Sequence, residues 1–155
     1  MKGLVYKSTG SWYSVKTEGG NIYDCKIKGK LRLKNINSTN PVVVGDIVEF
    51  IVEEHDLQKI GIIQKIHDRR NYILRKSVNL SKQTHILATN IDLLLLVVTA
   101  KNPITTTSFI DRFLVSAEAY SIKTILVFIK CDIYDEDDHF LLNSMINIYD
   151  NIGFE

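Results

Sequence analysis

Short stretches in which apolar and polar residues alternate open the chain. Residues 4–6 and 12–16 read as two strands with Gly10-Ser11 at the turn between them, and Glu18-Gly19-Gly20-Asn21 forms a second turn. Residues 22–27 carry the clearest strand period. Ile22, Asp24 and Lys26 fall on one face, and Tyr23, Cys25 and Ile27 on the other. Leu31 and Leu33 alternate with Arg32 and Lys34, which fits a short strand or one helical turn. A polar loop at 35–40 leads through Pro41 to Val44 and Gly45-Asp46 into a strand at 47–53. Glu54-His55-Asp56 then turns the chain into a further strand at 59–67. Short strands of this kind, broken by Gly and Asn turns, predict a small barrel of the OB type, with an SH3-like barrel as the close competitor. The pattern alone does not separate the two.

Residues 71–90 are polar and without period, and predict a linker that packs on the next domain. From residue 91 the pattern changes. Residues 93–98 are apolar on both faces, as in a buried parallel strand. Ser108, with Asp111 three residues on, predicts the N-cap and capping box of a helix that runs to about Tyr120 and turns Phe109, Phe113 and Ala117 to the sheet. A second buried strand covers 124–129. A second helix covers 137–151, with Phe140, Leu141, Met145 and Ile148 at i, i+3 and i+4 spacings, acids at its start and Gly153 at its end. The predicted architecture is a multidomain β plus α/β chain: an OB-fold barrel over 1–70, a linker over 71–90 and an incomplete α/β domain over 91–155. Two strands and two helices fall short of the five or six strands usual for such a sheet, so the chain is expected to be part of a longer protein.

Composition adds little to this, whereas charge adds more. The chain of 155 residues is 45% apolar and 24% charged, the balance of a folded globular protein. The longest apolar run, 91–100, is interrupted by Asp92 and is too short to cross a bilayer, so no membrane segment is expected. No signal-peptide pattern opens the chain. Cys25 and Cys131 fall in different predicted domains and are expected to be free thiols in a reducing cytoplasm. Together with His55, His67, His85 and His139 they show no metal-ligand spacing, and no metal site is expected here. The net charge is only +1, yet residues 1–34 hold eight Lys and Arg against Glu18 and Asp24. Lys26, Lys28, Lys30, Arg32 and Lys34 form its densest run. Such a run fits an anionic partner such as nucleic acid, and it equally fits a barrel surface made lysine-rich for solubility. Trp12 and Tyr13 fit either rings that stack on bases or barrel core. The acids Asp135, Glu136, Asp137 and Asp138 read as a solvated helix start.

The sharpest chemical signal is Ile125-Leu126-Val127-Phe128-Ile129-Lys130-Cys131-Asp132. A buried parallel strand ends there in a loop, and ligands of open α/β sheets bind at the carboxyl ends of strands. A carboxylate at Asp132 can accept two hydrogen bonds from the N1 and N2 groups of guanine, while the stem of Lys130 lies over the base. Adenine offers no such donor pair and would leave the carboxylate unpaired. Lys and Asp also populate ordinary surface loops after strands. No G-x-x-x-x-G-K-[ST] phosphate loop occurs anywhere in the chain, and no residue is expected to be catalytic.

Taken with the barrel that precedes it, residues 129–132 are similar to the Asn-Lys-x-Asp motif of GTPases. Further stretches resemble the RsgA (YjeQ) family of circularly permuted, ribosome-associated GTPases, especially its Bacteroidetes members. These are Thr9-Gly10-Ser11-Trp12-Tyr13, Cys25-Lys26-Ile27-Lys28-Gly29, Arg32-Leu33-Lys34, Pro41-Val42-Val43-Val44-Gly45-Asp46, Arg75-Lys76-Ser77-Val78-Asn79-Leu80-Ser81-Lys82-Gln83 and Phe109-Ile110-Asp111-Arg112-Phe113-Leu114. The resemblance implies a P-loop-type GTPase domain in permuted order, begun at 91–155. It also implies binding of the 30S ribosomal subunit and its 16S rRNA through the barrel, and a role in late subunit maturation. The cofactors implied are GTP or GDP with Mg²⁺, and Zn²⁺ in a C-terminal domain outside this sequence. Lys130 and Asp132 match the base-binding pair. Ile129 stands where the family has Asn, and its side chain has no donor or acceptor, so weakened guanine binding is expected. The alternative reading is a stand-alone OB-fold RNA-binding module with a degenerate, non-catalytic α/β tail.

Overall fold

In a computed structural model, which describes residues 1–27, 41–55, 58–76 and 84–154, the alternating stretches become a closed five-stranded barrel. Its strands are β1 (Lys2–Thr9), β2 (Trp12–Thr17), β3 (Ile22–Ile27), β4 (Ile47–His55) and β5 (Gln58–Ile66). The order β1-β2-β3-β5-β4, closed by pairing of β1 with β4, is that of an OB fold and settles the choice that the pattern left open. Only β3 and β5 run parallel, with Cys25 opposite Gly61. Inward positions alternate along the strands as expected: Val5, Tyr13, Val15, Cys25, Val42, Val48, Phe50 and Ile63 form the core, with Tyr23 and Ile27 packed against it. Gly61 is there for space, because a Cβ on it would lie 2.2 Å from the Cys25 sulfur. Burial, and then Asp24, pushes the Cys25 thiol up to about 12. Both cysteines are free thiols. Residues 31–34, read as a short strand or helical turn, lie outside the described residues.

Beyond the barrel the structure departs from the predicted linker. Residues 72–76 and 84–89 form two paired antiparallel strands, β6 (Tyr72–Lys76) and β7 (Thr84–Thr89), and they group with the barrel in one unit, Met1–Ile91. The tie is polar and buried. The Asp46 carboxylate, fully buried, accepts from the Val43 amide (2.9 Å), from Nε and Nη2 of Arg69 (both 2.7 Å) and from the Thr89 hydroxyl (2.8 Å). Arg69 is 6% exposed and also donates to Pro41 O. Asn90 Nδ2 donates to Gly45 O at 2.8 Å. Gly45 sits at φ 92, and a Cβ there would lie 1.9 Å from Thr89 O, so only glycine lets the two backbones approach.

The second unit, Asp92–Glu155, holds a parallel pair, β8 (Leu94–Val98) and β9 (Thr124–Phe128), with α1 (Thr107–Ala119) and α2 (Glu136–Asn151). Leu96 and Val98 form one buried cluster with Ile110, Leu114, Met145 and Tyr149. Leu95 and Val97, on the opposite face of β8, are more than half exposed. The expected facing of the helices holds in part: Phe113 packs against the buried cluster, and Ala117 and Met145 are buried. In α1 the buried residues are Ile110, Leu114 and Ala117, and Phe109 is exposed. In α2 they are Leu142, Met145 and Tyr149, while Phe140, Leu141 and Ile148 are exposed. The α1 cap is Thr106 rather than Ser108, its hydroxyl accepting from the Phe109 amide. Among the described residues no helix is long and apolar enough to cross a membrane.

Candidate functional site

The carboxyl ends of β8 and β9 lie side by side, and the loops that leave them are stitched together. The Ile129 amide donates to Val98 O (3.0 Å), extending the parallel ladder by one step. Lys130 then takes a left-handed conformation, φ 62, and Cys131–Ile133 form a single 3₁₀ turn that carries Asp132. Lys130 Nζ donates to Asn102 O (2.7 Å) in the loop after β8. The buried Tyr134 folds back, its hydroxyl accepting from the Ala100 amide (2.8 Å) and donating to Ile129 O (3.0 Å). The Thr99 amide donates to the Thr105 hydroxyl (3.1 Å), and the Thr99 hydroxyl donates to Pro103 O.

Lys101 bonds Asp135 (2.9 Å) and Asp138 (2.7 Å), which together form the capping box of α2. The Asp138 amide, and then Lys101, hold the Asp135 carboxyl down to about 2 from its ordinary 3.8. The two carboxylates in turn hold the Lys101 ammonium well above its usual range. This part of the cap is therefore fully present above about pH 4 and is lost as pH falls toward about 2.

Of the residues read from sequence as a base-recognition set, Lys130 and Asp132 are exposed on this loop. Among the described residues nothing hydrogen-bonds the Asp132 carboxylate, so it is open to a ligand. Ile129 is 40% exposed and contributes only its backbone to the ties. Tyr134, Lys101 and Asn102 were missed by sequence reading. The one signal that pointed to Tyr134 was an aromatic ring just before the acidic run 135–138. The string Asp150-Asn151-Ile152-Gly153 has the D-x-x-G form of a GTPase switch. Its fold rules that role out: Gly153, at φ 91, donates to Asp150 O (2.9 Å) and closes α2.

In the barrel the two rings divide. Tyr13 is core at 3% exposure, whereas Trp12 is 42% exposed, with Lys26 Nζ 3.9 Å from its ring centroid. Lys28, Lys30, Arg32 and Lys34 lie outside the described residues.

A family model of the RsgA N-terminal domain matches residues 2–63, and one of the RsgA GTPase matches residues 66–155. The chain belongs to the RsgA family. The RsgA GTPase match takes in β6 and β7, although their contacts group them with the barrel. A small ribosomal subunit biogenesis GTPase RsgA from Christiangramia forsetii is 56% identical over 155 residues, which is all of this chain and 49% of that protein. One from Bacteroides fragilis is 55% identical over 154 residues, 99% of this chain and 49% of that protein. This RsgA-family chain thus spans about half the length of the curated relatives it matches. Among solved structures, YjeQ from Thermotoga maritima superposes with TM-score 0.66 at 33% identity, covering 97% of this chain and 48% of its own. YloQ, a circularly permuted GTPase, superposes with TM-score 0.62 at 27% identity, covering 99% and 49%.

Proposed function

We propose that this chain supplies the subunit-binding barrel and the base-reading loop of a cytoplasmic GTPase that binds the 30S ribosomal subunit through 16S rRNA and acts in its late maturation. The observation that carries the reading is an unpartnered, exposed Asp132 carboxylate, held at the end of a parallel strand in a chain of the RsgA family. The carboxylate accepts from guanine N1–H and N2–H, and adenine would leave it facing a mismatched edge. Lys130, anchored by its ammonium to Asn102 O, lays its methylene stem along the floor on which a base rests.

The residues present do not fit Mg²⁺ or the phosphates. Among the described residues no three acids, His or Cys are grouped to hold a metal, and the sequence has no phosphate loop. No hydrolytic step is derived from these residues, and Zn²⁺ belongs, in this reading, to sequence outside this chain. Two results are expected. Purified 30S subunits stimulate GTP hydrolysis by a protein of the relatives' full length, and the 155-residue chain binds subunits without turnover. Subunit-stimulated hydrolysis by the 155 residues alone would overturn the division of labour.

Ile129→Asn tests the base loop. The backbone bonds of position 129 do not depend on its side chain, and an amide there adds a donor and an acceptor next to the base edge. GDP affinity by calorimetry is expected to rise about tenfold, the worth of one net hydrogen bond of about 1.4 kcal/mol. No gain would mean that position 129 does not face the base.

A further inference from the structure

We propose that Tyr134 is a positioning residue for Asp132, setting guanine specificity by closing the loop that carries it. The inference rests on the reading of Asp132 as the base-binding carboxylate. The backbone of the turn does not hold itself firmly: its two internal bonds, from the Ile133 amide to Lys130 O and from the Tyr134 amide to Cys131 O, are long at 3.2 and 3.4 Å. The better bonds come from the phenol. Its hydroxyl reaches Ile129 O at the first residue of the loop and the amide of Ala100 in the neighbouring loop, at 3.0 and 2.8 Å.

Tyr134 thus staples residues 129 and 134 together and fixes both to the end of β8. The Ile129 side chain has no polar atom with which to tie the loops, and Tyr134 makes the side-chain tie to the backbone of position 129 itself, beside the Lys130–Asn102 and Lys101–Asp135 bonds. The phenol ring is anchored in a small apolar cluster with Ala100 and Leu142. The hydroxyl is therefore held by a rigid ring, and removing it leaves the packing in place while both bonds vanish. A two-pronged contact of Asp132 with N1 and N2 of guanine is sensitive to such a release, because its geometry tolerates only a small displacement.

Tyr134→Phe separates positioning from simple support. GMP and IMP are titrated onto the 155-residue chain and followed by the amide resonances of residues 129–134. IMP lacks only the 2-amino group. The parent chain is expected to favour GMP by about tenfold or more, the worth of one hydrogen bond to a charged acceptor. Tyr134→Phe should bring that ratio below about threefold. Tyr149→Phe is the matched control: it removes a phenol bonded to Asp111 (3.0 Å) in the same unit and should leave the ratio unchanged whatever it does to melting temperature. Asp132→Ala should abolish the preference. An unchanged ratio in Tyr134→Phe, with the preference lost in Asp132→Ala, overturns the positioning role and leaves the base reading standing. Loss of cooperative unfolding in Tyr134→Phe alone overturns it in favour of a core role. A preference that survives Asp132→Ala overturns both.

Discussion

Asp46→Ala is expected to lower the stability of the Met1–Ile91 unit by about 3–5 kcal/mol, because it leaves the Arg69 guanidinium buried without its counter-charge. The carboxylate accepts four hydrogen bonds from three separate segments of chain. Arg69 has little slack, since its Nη1 is already buried with no hydrogen-bond partner among the described residues. For a unit of this size the loss corresponds to a fall in melting temperature on the order of 20 °C. Urea unfolding followed by Trp12, the one tryptophan, measures it. Asp46→Ala with Arg69→Met should recover much of the loss, since replacing a buried pair by apolar groups is often close to neutral. Gly45→Ala attacks the same joint through the backbone, with both the positive φ and the contact with Thr89 O against it. A change within about 1 kcal/mol for Asp46→Ala would show that the barrel does not depend on the β6–β7 pair.

That joint was the least legible part of the chain, for a reason visible in its register. The pairing of β6 with β7 slips where Ile73 faces Ala88 and Leu74 faces Ile86, which leaves Leu87 of β7 as the extra residue. The buried positions on that strand, Ile86 and Thr89, therefore fall three apart and lose the period of two. The five barrel strands, by contrast, hold one face inward for most of their length. β3 shows Tyr23, Cys25 and Ile27 on the core side as its pattern required. The helices were legible in part, with Phe113, Ala117 and Met145 on the core side. α1 carries two apolar stripes, Phe109–Phe113 and Ile110–Leu114, each with helical spacing, and sequence has no means of choosing between them. Its start was ambiguous too, because Thr105, Thr106, Thr107 and Ser108 are all competent caps. Lys130 and Asp132 could be proposed from sequence because motif chemistry sits on closely spaced residues. The partners that hold them, Asn102 and Tyr134 with Ala100, are tied by contacts 28 and 34 positions apart.

Neutralising Lys28, Lys30, Arg32 and Lys34 to Gln is expected to weaken binding to 30S subunits and to flatten its salt dependence, by about three units in the slope of log K against log salt. Four phosphate contacts account for about a hundredfold loss of affinity between about 50 and 200 mM salt, and the variant should lose most of that response. Trp12 predicts a different signature. Its ring is part-exposed, with the Lys26 ammonium over its face. A cation–π contact at an exposed site is worth about 0.5–1 kcal/mol, less than stacking a base (about 1–3 kcal/mol), so a nucleobase can displace it and free Lys26 for a phosphate. Trp12→Ala should therefore weaken binding by a similar factor at every salt concentration, with the slope held. Sedimentation with purified subunits across a salt series distinguishes the two effects. If neither slope nor affinity moves in the fourfold variant, the contact with the ribosome lies on another face of the barrel, and the charge of the first thirty-four residues serves solubility alone.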